Sequence, residues 1–266
     1  MKIRQILSVL AGAMFASGSA SAAFVVDGNI ADWGINASNW QAAPGIYSAI
    51  EDQTGGAGVY LNPGYGGQAY DAEALYATFS AGKLFILLAT GHNPATLQNP
   101  GGNSYGAGDF AIDFGRNGTF EVGINIVPGG FGLAGGVYDD AQWNYGLWTT
   151  SGAHNPANAD STHPTSLKGG NWLGAASYAI SGPTTGYGNW TADKHYFYEM
   201  SVDISLLNAA GWDGSAFDIH WTQNCANDSI ILDPPGYVPE PGSLALLGLG
   251  LAIAGGMRHR RRHALA

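Results

Sequence analysis

The sequence predicts a mainly β fold, a single jelly-roll-like β-sandwich, and three observations carry that reading. Short apolar runs of strand length recur, and two of them, 109–114 and 120–126, alternate. Turn residues punctuate the runs, drawn from a pool of 41 glycines. No long stretch carries helical periodicity, and no internal repeat stands out. Glycine at this level with few rings would describe a chain unable to build a core. Here eight Trp and thirteen Tyr accompany it, enough ring surface for a packed, turn-rich domain.

In chain order, Phe24 to Val26 before Asp27-Gly28 reads as a strand ending in a turn pair. Ala74–Phe79 and Leu84–Ala89 read as a hairpin joined through Ser80 to Lys83. In Asp109–Phe114, Phe110, Ile112 and Phe114 point to a core and Asp109 and Asp113 to the other face. Arg116 to Thr119 turns the chain into a strand over 120–126. The stretch 129–190 reads as a long glycine- and aromatic-rich insert. A strand follows over 195–204, then one or two helical turns over 205–210 stopped by Gly211, then a strand over 217–221.

The two ends of the chain differ from its body. Lys2 and Arg4, an apolar run from Ile6 to Phe15, and small residues up to Ala23 have the three zones of a secretory signal peptide. The A-x-A pattern at Ala20 and Ala22 places cleavage before Ala23, or one residue later. At the other end Pro239-Glu240-Pro241 precedes an uncharged span, Ser243 to Met257, and a basic cluster of Arg258, Arg260, Arg261 and Arg262. As a helix, about 15 residues reach about 22 Å, short of a hydrocarbon core of roughly 30 Å. The span reads as a single C-terminal transmembrane helix whose basic end stays on the cytoplasmic side. The expected organisation is a signal peptide over 1–22, a β-sandwich over 23–232, a linker over 233–238 and the tail over 239–262.

Between the ends only Lys83, Arg116, Lys168 and Lys194 face nineteen carboxylates, a formal charge of −15. Such a polyanion repels nucleic acid and anionic lipid, and suits neutral glycans, metal ions or basic partners. The membrane is expected as a partner only through the tail, before processing. The single cysteine, Cys225, excludes an internal disulfide and Cys-type metal clusters, and reads as a small buried residue.

The order Pro-Glu-Pro, glycine-rich apolar span, terminal Arg cluster resembles the PEP-CTERM sorting signal over about the last thirty residues. The resemblance implies a substrate of an exosortase, a membrane transpeptidase, exported by the secretion machinery of a Gram-negative-type bacterium that makes extracellular polysaccharide. It makes Pro239, Glu240 and Pro241 the recognition motif and the span a temporary anchor. Both prolines resist helix, which keeps the motif extended for a protease.

The body resembles the sandwiches similar to family 9 carbohydrate-binding modules, or DOMON-like domains. The resemblance lies in Val26 to Trp33, in Glu73-Ala74-Leu75-Tyr76 with Lys83 to Ile86, and in Leu206-Leu207 before Gly211-Trp212 and the strand at Phe217–Trp221. It implies a fold that often binds sugar and sometimes calcium. Rings stack on the C–H faces of sugars, which makes Trp143, Tyr145, Trp148 and Trp172 of the insert the candidate glycan platform, weighed against rings that pack the domain. Asp139, Asp140 and Asp160 are the candidate ligands for at most one structural calcium ion, weighed against turn aspartates that cap their own backbone. No H-E-x-x-H or P-loop pattern occurs in the body. The expected function is a non-enzymatic cell-surface or matrix protein associated with secreted polysaccharide. The alternatives are a carbohydrate-binding module with a defined glycan, and a secreted glycoside hydrolase.

Overall fold

The structure is a computed structural model, and it describes residues 23–53, 66–126, 131–146 and 163–237. Both the signal segment up to 22 and the tail from 238 lie outside the described residues. Two antiparallel sheets make a sandwich, as the alternating runs predict. The first contains Tyr47–Ile50 (β1), Ala72–Ser80 (β2), Lys83–Thr90 (β3), Ser177–Ile180 (β8) and Tyr196–Asp203 (β9), in the order β1-β2-β3-β9-β8. The second contains Phe110–Phe114 (β4), Val122–Ile124 (β5), Gly136–Tyr145 (β6), Pro164–Ala175 (β7), Phe217–Thr222 (β10) and Ser229–Leu232 (β11), in the order β11-β10-β4-β5-β6-β7.

The main core lies between the sheets. Leu75, Ala77, Leu84, Ile86 and Leu88 of the first sheet meet Phe110, Ile112, Val122, Ile124, Ile219 and Trp221 of the second. The outer face of the first sheet is buried as well, under the segment that follows residue 23. Ile30, Trp33 and Trp40 cover Ala74, Tyr76, Phe85, Leu87 and Phe197 there. Covered on both faces, β2, β3 and β9 are buried at almost every position, and β3 reads as a near-continuous apolar run while β2 and β9 each bury one glutamate, Glu73 and Glu199.

That covering segment corrects one expectation. Phe24 to Gly28 forms no strand, because its backbone donors are taken by a side chain. The Glu199 carboxylate on β9 accepts the N–H groups of Asp27 and Gly28, each at 3.0 Å, and the Trp33 indole N–H at 2.8 Å. Asn29 caps the short 3₁₀ turn Ile30–Trp33 by accepting the Ala31 N–H. The predicted hairpin of β2 and β3 forms, with Ser80 and Lys83 paired and the turn narrowed to Ala81-Gly82. The helix forms at Ile204–Ala209 (α1), buries Leu207, and ends before Gly211, which takes a φ of +98°.

Two further expectations change. The supposed insert supplies β6, β7 and β8, so it is part of both sheets. Register shifts along the β6–β7 pair break the alternation that would have revealed these strands. The supposed linker is docked, at least through Tyr237. Phe217 N–H donates to the Pro234 carbonyl, Arg116 Nη2 donates to the same oxygen at 2.9 Å, and the Tyr237 ring packs on Phe79 and Trp212. Arg116 is held in place by a 2.8 Å ion pair with Asp218.

Candidate binding cleft

A cleft of about 730 Å³ opens where the loop after β3 meets the paired ends of β6 and β7. The loop is shaped by its own hydrogen bonds. Asn99 and Ser104 bridge the chain around the 3₁₀ turn Pro100–Gly102, and Asn103 closes that turn at a φ of +54°. The buried His92 ring anchors it through a 2.9 Å contact to the Tyr105 carbonyl. Gln98 Oε1 accepts the Gly106 N–H at 2.8 Å and the Asn224 side-chain N–H at 3.2 Å, which ties the loop to the chain beyond β10.

The opposite wall is Asn144 and Tyr145 of β6 with Thr165 to Lys168 of β7. Thr165 Oγ1 donates to the Asn144 carbonyl, and Asn144 Nδ2 donates to Ser166 Oγ, each at 3.1 Å. At the base, Asp109 is buried and its carboxylate accepts the N–H groups of Ile126 and Leu167 at 2.9 and 2.8 Å. Gly108 beside it is a close-approach position. A Cβ there would collide with the carbonyls of Thr222 and Thr165, so glycine lets these backbones meet. The wall therefore combines the rings of Tyr105 and Tyr145 with amides, hydroxyls and the Lys168 ammonium. Lys168 is exposed and forms no ion pair with a described residue.

The residues singled out from sequence fall in different places. Tyr145 is on the cleft wall and 38% exposed. Trp143 is buried, with its indole N–H donating to the Phe120 carbonyl, so it offers no ring face to a ligand and that assignment is corrected. Trp172 is exposed away from the cleft lining and packs edge-on against Tyr138. Trp148 and Asp160 lie outside the described residues. Asp139 pairs across the sheet with Asn171, and Asp140, at a φ of +45°, accepts the Asn171 amide at 2.8 Å. Among the described residues no three His, Cys, Asp or Glu side chains gather to hold a metal ion.

Ala23 is the first described residue and is exposed, while Ala20 and Ala22 lie outside, as do Pro239, Glu240, Pro241 and Arg258, Arg260, Arg261 and Arg262. No helix among the described residues is long and apolar enough to cross a membrane, and the 243–257 span is not among them. Cys225 is buried, and burial above all pushes its thiol up to about 12, which makes it inert.

Sequence reasoning missed one group. Glu51, Asp71, Glu73 and Asp228 come together where β2 begins and the β10–β11 turn ends. Asp71 and Glu73 open an apolar run, Asp-Ala-Glu-Ala-Leu-Tyr, and Asp228 sits between Cys225 and Ile230. Carboxylates inside otherwise buried runs were the available signal.

Residues 238–262 match the family model described as the PEP-CTERM protein-sorting motif. The expectation from the order of the tail residues is met. The motif marks the chain as an exported protein sorted by an exosortase to the cell envelope or surface. No curated protein and no solved structure matches the chain.

Proposed function

We propose that the exported chain is a non-enzymatic surface or matrix protein of a Gram-negative-type envelope, and that it associates with secreted polysaccharide through the cleft beside Tyr145. The observation that carries this reading is the cleft wall: two tyrosine rings beside amide and hydroxyl groups, on a domain whose formal charge favours a neutral partner. Rings offer flat apolar faces to sugar C–H groups, and the polar side chains can exchange hydrogen bonds with hydroxyls. Tyr145, one of the four residues of the expected platform, is the anchor in this reading, and the buried Trp143 is not part of it.

Binding is favoured over hydrolysis by the state of Asp109. Glycoside hydrolysis uses two carboxyl groups flanking the scissile bond. Asp109 is the one carboxylate among the described lining residues, and two backbone N–H groups already hold it. The test is affinity electrophoresis of the exported chain through gels loaded with neutral or acidic polysaccharide. Retardation by a neutral glycan that weakens at least tenfold in Tyr145→Ala is the expected result. Equal mobility in every gel, or retardation unchanged by Tyr145→Ala, would refute the cleft as the glycan site.

A further inference from the structure

The match to the sorting motif begins at Val238, directly after a segment that the fold holds. Pro234 to Tyr237 lie as a strap against the start of β10 and the turn before it. Phe217 N–H and Arg116 Nη2 both donate to the Pro234 carbonyl, at 3.3 and 2.9 Å. The Tyr237 N–H donates to the Gly214 carbonyl at 2.9 Å. The Tyr237 ring rests with its centroid 5.0 Å from that of Phe79 and 6.4 Å from that of Trp212.

Between these bonds the chain turns at Gly236, which is buried and takes a φ of +110°. A Cβ there would collide with the Gly214 carbonyl and the Ser215 backbone, so glycine lets the strap lie this close. The segment is therefore part of the fold, and it leaves no spacer before the tail. Only Val238 separates the docked Tyr237 from Pro239. An enzyme that reads a short linear motif takes the chain extended, with free backbone on both sides of the motif. Here the bulk of the sandwich stands on one side.

We propose that the 234–237 strap is an autoinhibitory contact, and that the processing enzyme gains the motif only while the strap is lifted from Gly214, Phe79 and Trp212. Cutting of a shielded site follows the population in which the shield is open. The strap suits such a local opening. It ends the folded domain, Tyr237 is only half-buried, and β10 and β11 keep their own ladder when it leaves. Pro234 and Pro235 have no N–H to strand, and once free they favour extended backbone, the form such an enzyme binds. The gate depends on the sorting signal and is independent of glycan binding at the cleft.

The test follows the full chain by pulse-chase in a host carrying the exosortase, with conversion to the cut form read by mass. Wild type is compared with a chain carrying a flexible Gly/Ser spacer of about ten residues between Tyr237 and Val238. The spacer adds roughly 17 Å of reach and leaves the strap docked. The spacer chain should be cut at least about fivefold faster, while the purified uncut chain melts at the wild-type Tm. Tyr237→Ala removes the ring contact and should also be cut faster than wild type. Placed in the spacer chain, it should add nothing further. That last comparison separates gating from a general loosening of the domain, which would speed cutting in both backgrounds. A spacer chain cut at the wild-type rate or slower overturns the proposal. So does a folded Tyr237→Ala chain cut at the wild-type rate, or an acceleration by Tyr237→Ala that persists beside the spacer. If Tyr237→Ala fails to fold, the spacer comparison decides alone.

Discussion

Replacing Glu199 by Ala should peel the covering segment away from the first sheet. This carboxylate receives three N–H groups from residues 27–33, and it is fully buried. The Trp33 indole N–H is buried with it and would be left without an acceptor, at a cost of about 1–3 kcal/mol. The Asp27 and Gly28 N–H groups are half-exposed and can regain water, so each adds only about 0.5–1.5 kcal/mol. The expected loss is about 2–6 kcal/mol, a large part of the roughly 5–15 kcal/mol of a typical domain. Urea unfolding of the exported chain measures the loss. Limited proteolysis locates it, since cleavage between residues 23 and 46 should appear first. Glu199→Gln keeps the size and one carbonyl acceptor and should lose less than half as much. A loss below about 1 kcal/mol for Glu199→Ala would refute the reasoning, because the segment would then be held by ring packing alone.

The remaining expectations concern pH, backbone contact and sorting. Burial first, and then His163, 3.4 Å away, push His220 down to about 3. Unfolded histidine takes its proton near 6.5, so the native state is favoured fully above that pH and loses up to about 4 kcal/mol between pH 6.5 and 3. His220→Gln should flatten that part of the stability–pH curve, and an unchanged slope would count against the assignment. Gly108→Ala should cost more than about 3 kcal/mol, seen as loss of soluble protein or of the cooperative melt, because the added methyl meets two backbone carbonyls that cannot turn aside. Glu240→Ala leaves the apolar span and the Arg cluster intact, so a simple anchor would be indifferent to it. A sorted protein should accumulate as an uncut, membrane-bound precursor, read by mass and membrane fraction in a host with the exosortase.

Much of the sandwich was legible because its hairpins obey simple spacing. Phe110, Ile112 and Phe114 alternate, and the Ala81-Gly82 turn separates two apolar runs of matching length. The sheet order was not legible, since pairing β3 with β9 joins residues more than a hundred positions apart. β6 and β7 were hidden by bulges and by Gly169, Gly170 and Gly174, which remove the side chains that alternation relies on. Trp143 illustrates a limit on the site. Its neighbours Gln142 and Asn144 are exposed, so its polar company suggested a surface ring, yet it is buried in a small cluster with Ala111, Tyr138 and Leu167 on the face of the second sheet away from the main core. The tail was legible almost completely, because a sorting signal must be readable as linear sequence before any tertiary structure supports it.

The docking of Tyr237 gives the domain a direction. Phe79, against which Tyr237 packs, lies next to the β2–β3 turn, whereas the loop that walls the cleft begins where β3 ends. The eight-residue β3 separates these two regions by about 25 Å. A chain tethered through its tail therefore leaves from one pole of the sandwich and carries the cleft at the other. The pole from which the tail departs is closed by Tyr237 and Trp212, so a ligand held at the cleft sits away from the point of attachment.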